Sequence, residues 1–91
     1  MDLKTAETRA RSVVLSQLED LLVDTDIRLI KDEDRIIKDL HLTGDDASIL
    51  AVLSARALGV KPDVRRWRKV ETVGEAVRML AEEMMRNEQS L

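Results

Sequence analysis

The side chains in this chain that could do chemistry gather in residues 39–48, which read DLHLTGDDAS. The segment contains the only histidine, His41, a hydroxyl at Thr43 and two adjacent carboxylates at Asp45 and Asp46. A catalytic histidine works with a nucleophile or a second polar group, and no serine, cysteine or second histidine adjoins His41. Two adjacent carboxylates also supply too few oxygens for a Ca²⁺ loop. We therefore expect no catalytic set and no metal site, and we interpret His41 as an exposed loop residue.

A second segment, residues 56–69, is strongly basic, with six bases and one acid in a chain whose net charge is −3. Arg and Trp are enriched at binding hot spots, so the part from Arg65 to Arg68 is a candidate partner surface. Its Trp could instead cover a core that has no other large aromatic side chain. Arginines could also neutralise nucleic-acid phosphates, but the acidic total and the lack of a second aromatic for stacking disfavour that role. The basic block with its Trp is Arg56, Lys61, Arg65, Arg66, Trp67, Arg68 and Lys69.

The composition predicts a single all-helical domain over residues 1–91. Apolar residues make up 44% of the chain and are nearly all aliphatic, while three Gly and one Pro leave little material for hairpin turns. The absence of Cys excludes disulfides and thiolate sites. No apolar run approaches the ~18 residues of a membrane span, and the first residues lack the order of a signal peptide. We expect a cytoplasmic monomer that is not associated with a membrane.

Capping residues and helical spacing predict three long helices and one short helix. Thr43 with Asp46 three residues later resembles a capping box, and Thr72 with Glu75 forms a second one. Gly59 stands where a left-handed residue closes a helix. The predicted helices cover residues 3–23, 43–58, 63–69 and 73–86.

The spacing of apolar residues also predicts which faces are buried. In the first helix the stripe is Leu3, Ala6, Ala10, Val13, Val14, Leu18, Leu21 and Leu22. In the second it is Ile49, Leu50, Val52, Leu53 and Ala57, and in the last it is Val73, Ala76, Val77, Leu80, Ala81 and Met84. In the long connection between the first two helices, the expected core anchors are Ile27, Leu29, Ile30, Ile36, Ile37 and Leu40.

Three long helices, a long first loop and a short third helix resemble the layout of the acyl carrier protein family. Asp39-Leu40 resembles the Asp-Leu that precedes the Asp-Ser-Leu attachment motif of that family. Gly59-Val60 resembles the Gly-Ile that closes its second helix, and residues 72–75 (TVGE) resemble the Thr-Val-Gly-Asp that opens its last helix. The likeness implies an acyl-carrier-protein-like four-helix bundle.

The resemblance fails at the residue that carries the activity. Carriers join phosphopantetheine to the serine of the Asp-Ser-Leu motif. In this chain the resemblance places Thr43-Gly44-Asp45 on that motif, so Gly44 stands at the serine position and offers no nucleophilic oxygen. The chain resembles a divergent group of bacterial carrier-like proteins that have Gly-Asp-Asp at this place. Carriers of the family also present an acidic face to their partner enzymes, whereas the third helical region here is basic. An acidic partner surface suits it better.

The sequence therefore predicts a non-catalytic, carrier-like protein-interaction module that binds no cofactor. The expected partner is a protein, such as an acidic surface of an enzyme of an acyl, polyketide or peptidyl pathway. The first alternative is a working carrier that attaches phosphopantetheine to a nonstandard hydroxyl, either Thr43, one residue early, or Ser48, one turn late. The second is a small helical nucleic-acid-binding protein. The expected partner contacts are Asp45, Asp46, Arg65, Arg66, Trp67 and Arg68.

Overall fold

A computed structural model describes residues 1–89 of the chain. Over these residues the regular structure is helical, with no β-strand. This confirms the all-helical prediction of three long helices and a short one. The elements are α1 (Leu3–Leu21), a 3₁₀ turn (Ile27–Leu29), α2 (Gly44–Ala57), α3 (Val64–Trp67) and α4 (Val73–Gln89).

Side-chain caps begin α2 and α4 at the predicted positions. Thr43 Oγ1 accepts a hydrogen bond from the backbone N–H of Asp46 over 3.0 Å. At α4 the box is reciprocal, because Glu75 N donates to Thr72 Oγ1 over 3.1 Å and Thr72 N donates to Glu75 Oε1 over 3.0 Å. These bonds satisfy amide groups that the first turn of a helix leaves without a partner. The same chemistry begins α3, where Asp63 accepts from two backbone amides.

The C-terminal ends of the helices agree with the prediction for α2 but not for α1 and α4. Gly59 has a φ of +71°, as predicted for a left-handed residue behind α2. α1 ends at Leu21, two residues before the predicted end, whereas α4 continues to Gln89, three residues beyond it. No Gly or Pro stops α4, and the Met1 amino group lies 3.2 Å from Glu88 Oε1 in its last turns.

The core lies where α1 packs against α4 and against α2. The radius of gyration is 12.3 Å, close to the ~12 Å of a compact domain of this length. All six residues of the predicted α4 face are buried, together with Met79. α1 buries four of its eight predicted residues, and Leu3 is 41% exposed. The buried residues of α1 are Ala6, Ala10, Val14 and Leu18.

The predicted face of α2 is largely wrong. Leu50 is fully buried, but Ile49, Val52 and Leu53 are 45%, 39% and 37% exposed, and Ala57 is exposed as well. The face turned to the core carries Leu50, Ala51, Ser54 and Ala55. A helix that is apolar around most of its circumference does not reveal from spacing alone which side is buried. Small side chains on the inner side let α2 lie close to its neighbours, and larger apolar ones remain outside.

The long connection before α2 is tied to the chain ahead of α4 by backbone pairing. Ile36 N donates to Glu71 O over 2.8 Å, and Val73 N donates to Asp34 O over 3.0 Å. This pairing buries Ile36, as predicted, and turns its neighbour Ile37 outward, where it is 55% exposed. The core anchors Ile30 and Leu40 are half-buried against the core.

Ile27 and Leu29, in the first part of this connection, differ in burial. Ile27 is half-buried in the 3₁₀ turn. Leu29 is 73% exposed, so its prediction as a core anchor is wrong, as is that of Ile37. Among the helices of residues 1–89, none is both long and apolar enough to cross a membrane.

Candidate functional site

A groove of about 560 Å³ lies where the beginning of α2, the connection at residues 35–38 and the region of α3 meet. Gly44 lines it from α2, Trp67 lines it from α3, and Arg68 lines it from the position directly after α3. The two segments that the sequence marked as candidate surfaces therefore border one depression. The volume falls in the range of about 300–1,000 Å³ that is usual for binding sites.

Gly44 is the first residue of α2, directly behind the cap Thr43. A Cβ atom placed on Gly44 would meet nothing within 4 Å, so the backbone leaves open space at this position. The first turn is otherwise an intact helix start, with Asp45 and Asp46 at the positive end of the helix dipole. The position thus has room for a side chain and holds no oxygen nucleophile.

The two hydroxyls near Gly44 lie in different surroundings. Thr43 Oγ1 accepts the capping hydrogen bond of Asp46. Ser48 Oγ donates to the carbonyl oxygen of Gly44 over 3.1 Å, and Ser48 is exposed and lines the groove. Of the two, only Ser48 is a lining residue of the groove.

Arg66 is engaged with α4. Its Nη1 donates to Glu83 Oε1 over 2.8 Å, and its Nη2 donates to Glu82 Oε1 over 3.2 Å. Burial alone would lower the pKa of Arg66, but the hydrogen bonds to Glu83 and Glu82 and the charges of both carboxylates together outweigh it and raise the pKa. The cation is therefore a link between α3 and α4.

The other cations of this region form no such ion pairs within residues 1–89. Arg65, Arg68 and Lys69 are exposed and have no ion pair within residues 1–89. Lys38, which lines the groove from the connection, is exposed and unpaired within the same residues. Positive charge is thus free at the groove and beside it.

Arg35 also lines the groove, but its side chain forms an ion pair with Asp39. Its Nε lies 3.4 Å from Asp39 Oδ2, and its backbone N–H donates to the same oxygen over 2.8 Å. The hydrogen bond from this backbone amide is the main cause that lowers the pKa of Asp39. Asp39, the first residue of the motif-like segment, therefore acts as a structural anion of the loop.

Trp67 lies between the core and the groove. It is half-buried, packs against the core and lines the groove. Its Nε1 atom is buried and has no hydrogen-bond partner within residues 1–89. The ring is therefore a wall shared by the core and the groove.

The remaining predicted residues lie outside the groove. Asp45 is exposed and Asp46 is half-buried, and neither is a lining residue. His41 is exposed, as predicted, but has a φ of +59°, a left-handed conformation that the sequence did not indicate. Across residues 1–89, no three His, Asp or Glu side chains come close enough together to hold a metal ion.

The sequence missed the apolar walls of the site. Val52 from α2, Val64 from α3 and Ile37 from the connection all line the groove and are exposed. Val52 and Ile37 were assigned to the core. The signal that could have found Val52 is the apolar character of α2 on nearly every side, which exceeds what one buried face needs.

No protein-family model matches the chain, and no curated protein matches it. The structure itself defines a small helical domain with a groove that is apolar inside and edged by free cations.

Proposed function

We propose that the chain is an acyl-carrier-protein-like, non-catalytic protein-interaction module that carries no covalent phosphopantetheine. The observation that carries the proposal is Gly44. It begins α2 where the resemblance places the attachment serine, behind an intact cap at Thr43. A capped helix start that holds no nucleophile favours a surface used for binding.

The order of the helices supports the carrier-like part of the proposal. Three long helices and the short α3 occur in the order that the resemblance implies, with a long connection between α1 and α2. The segment ahead of α4 has the capping box of Thr72 and Glu75, and Gly59 closes α2 in a left-handed conformation. These features agree with an acyl-carrier-protein-like fold.

The charges near the groove support the interaction part. Free cations at Lys38 and Arg68 line it, and α3 itself carries a further unpaired base, Arg65. Opposite charge across an interface steers association and selects partners. A protein partner with an acidic surface, within an acyl or peptidyl pathway, suits this side of the domain.

Intact-mass measurement after coexpression with a broad-specificity phosphopantetheinyl transferase tests the proposal. We expect the unaltered chain to keep its unmodified mass. We expect Gly44→Ser to gain phosphopantetheine, because the new side chain enters open space at the helix start. An ordinary acyl carrier protein serves as the positive control, and Gly44→Ala as the matched variant without a hydroxyl.

Two outcomes would contradict the proposal. A phosphopantetheine increment on the unaltered chain would favour the second candidate function, a working carrier. The observation behind that candidate is Ser48, whose exposed hydroxyl lines the groove, and Ser48→Ala and Thr43→Ala would identify the site. Failure of Gly44→Ser to be modified, with the positive control modified, would count against a carrier-like surface.

A further inference from the structure

We infer that the groove between α2 and α3 receives an acidic amphipathic helix of a partner protein. The inference rests on the proposed function as an interaction module, and it adds the chemistry of the partner and the place where it docks.

The first observation is exposed apolar surface on all three walls of the groove. Ile37, Val52 and Val64 are 55%, 39% and 63% exposed, and all three line it. They come from three different parts of the chain, so their exposure is not explained by one frayed segment. An exposed apolar patch of this kind marks an interaction site more often than an isolated apolar residue does.

The second observation is that exposed apolar surface continues beside the groove, on the adjoining side of α2. Ile49 and Leu53 are 45% and 37% exposed. Ile49 lies three residues before Val52 and four before Leu53, so the three side chains are neighbours on the helix surface. An apolar patch that includes a groove and the helix side next to it offers an extended apolar surface to a partner. An amphipathic helix supplies an elongated apolar face, with anchors at positions i, i+3, i+4 and i+7.

The third observation fixes the charge of that helix. Lys38 and Arg68 line the groove and have no ion pair within residues 1–89, while the charge of Arg35 is shared with Asp39. Glu71 is the single acid among the lining residues. Acidic residues flanking the apolar face of the partner helix would meet these cations, and lysines in the same places would be repelled.

A selection from displayed peptides tests the inference on the full chain. The library keeps four leucines at helical spacing and varies the flanking positions among Glu, Lys, Gln and Ser. We expect enriched peptides to be rich in Glu. Synthesised as free peptides, they should change the fluorescence of Trp67, the only Trp of the chain, in a saturable manner. The same peptide with Lys in place of Glu should bind at least about tenfold more weakly.

Variants locate the binding surface. Lys38→Ala/Arg68→Ala should weaken the peptide by roughly tenfold and reduce its dependence on salt. Lys4→Ala/Arg9→Ala removes the same charge from exposed positions of α1 and should leave binding unchanged. Val64→Ser, at a residue that is 63% exposed, should weaken binding without loss of the fold, and the far-ultraviolet circular dichroism of each variant checks that fold.

Three results would overturn the inference. One is enrichment of peptides with neutral or basic flanks, or no enrichment. Another is an enriched acidic peptide whose affinity is the same for both pairs of charge variants. The third is saturable binding of sodium dodecanoate below its micelle concentration, lost in Val64→Ser, without any enriched peptide. That result would assign the groove to a free fatty acid. None of these three results contradicts the proposed function if the mass of the unaltered chain stays unmodified. The proposed function is contradicted only by a phosphopantetheine increment on the unaltered chain or by a Gly44→Ser variant that is not modified.

Discussion

Arg66 donates a hydrogen bond from Nη1 to Oε1 of Glu83 over 2.8 Å and so fastens the short helix α3 to α4. The side chain of Glu83 is only 15% exposed, and it also pairs with Arg86. The basic block of residues 56–69 therefore divides into a cation that holds the domain together and cations such as Arg65 and Arg68 that remain free for a partner.

We expect Arg66→Ala to lower the free energy of unfolding by about 1 kcal/mol, near the upper end for ion pairs at a surface, because Glu83 is mostly buried. Arg65→Ala removes an exposed, unpaired neighbour and should change it by less than about 0.5 kcal/mol. Urea unfolding of both variants measures the difference, and a double-mutant cycle with Glu83→Ala isolates the pair. Equal effects of the two arginine variants would show that the contact to α4 contributes nothing specific.

Substitution of each of the three glycines by alanine should change the free energy of unfolding by a different amount. Gly44→Ala should be neutral or stabilising by up to about 1 kcal/mol, because its Cβ meets nothing and the unfolded chain loses freedom. Gly59→Ala should destabilise by about 1 kcal/mol or more, because Gly59 has a φ of +71°. Gly74→Ala should also destabilise, because its Cβ would lie 3.0 Å from Asp32 Cβ and 3.1 Å from Asp32 O.

Thermal unfolding measures this order, since 1 kcal/mol shifts the midpoint by roughly 4–8 °C in a domain of this size. The internal control is Gly44→Ala, which shares the chemistry of the change. A loss in that variant as large as in Gly59→Ala would contradict the description of the helix start.

The orientation of α2 makes a sharp contrast between two leucines. Leu50→Ala should cost about 2–5 kcal/mol, because Leu50 is fully buried. Leu53→Ala should cost less than about 1 kcal/mol, because Leu53 is 37% exposed. Denaturant unfolding of the two variants, which remove the same atoms, compares the faces directly. A larger loss from Leu53→Ala would support the face predicted from spacing instead.

The capping box of α4 gives stability that depends on pH. The pKa of Glu75 lies below its ordinary value of 4.5, because the carboxylate accepts hydrogen bonds from the backbone of Thr72 first and of Glu71 second. The folded state then binds fewer protons than the unfolded state near that pH. The contribution is fully present above pH 4.5 and is lost as the pH falls through the lower folded-state pKa.

We therefore expect Glu75→Gln to show a smaller loss of stability than the unaltered chain as the pH falls below 4.5. Gln retains an acceptor for the box without a titrating proton. Urea midpoints measured across this range check the expectation. The control is Glu33→Gln, an exposed residue with no hydrogen bond or ion pair within the described chain, and it should follow the unaltered profile. Identical profiles for Glu75→Gln and the unaltered chain would contradict the proposed contribution.

Features that depend on neighbours in the chain were predictable from the sequence. The structure confirms the caps at Thr43 and Thr72, the left-handed Gly59 and the burial of all six residues predicted for the inner face of α4. The caps and Gly59 depend on groups within a turn of one another, and the inner face of α4 follows the helical spacing of its apolar residues, so residue type and spacing contain the necessary information.

The sequence by itself determined that this is an all-helical chain, where its helices begin and that Gly44, directly behind the cap Thr43, carries no hydroxyl. Only the tertiary structure decided which side of α2 is buried, which cations are free and where the groove lies. These features depend on contacts between segments distant in the chain, such as Arg66 with Glu83 and Ile36 with Glu71. A helix such as α2, apolar on nearly all sides, presents several faces of similar hydrophobicity, and close packing against α1 selects the one with small side chains.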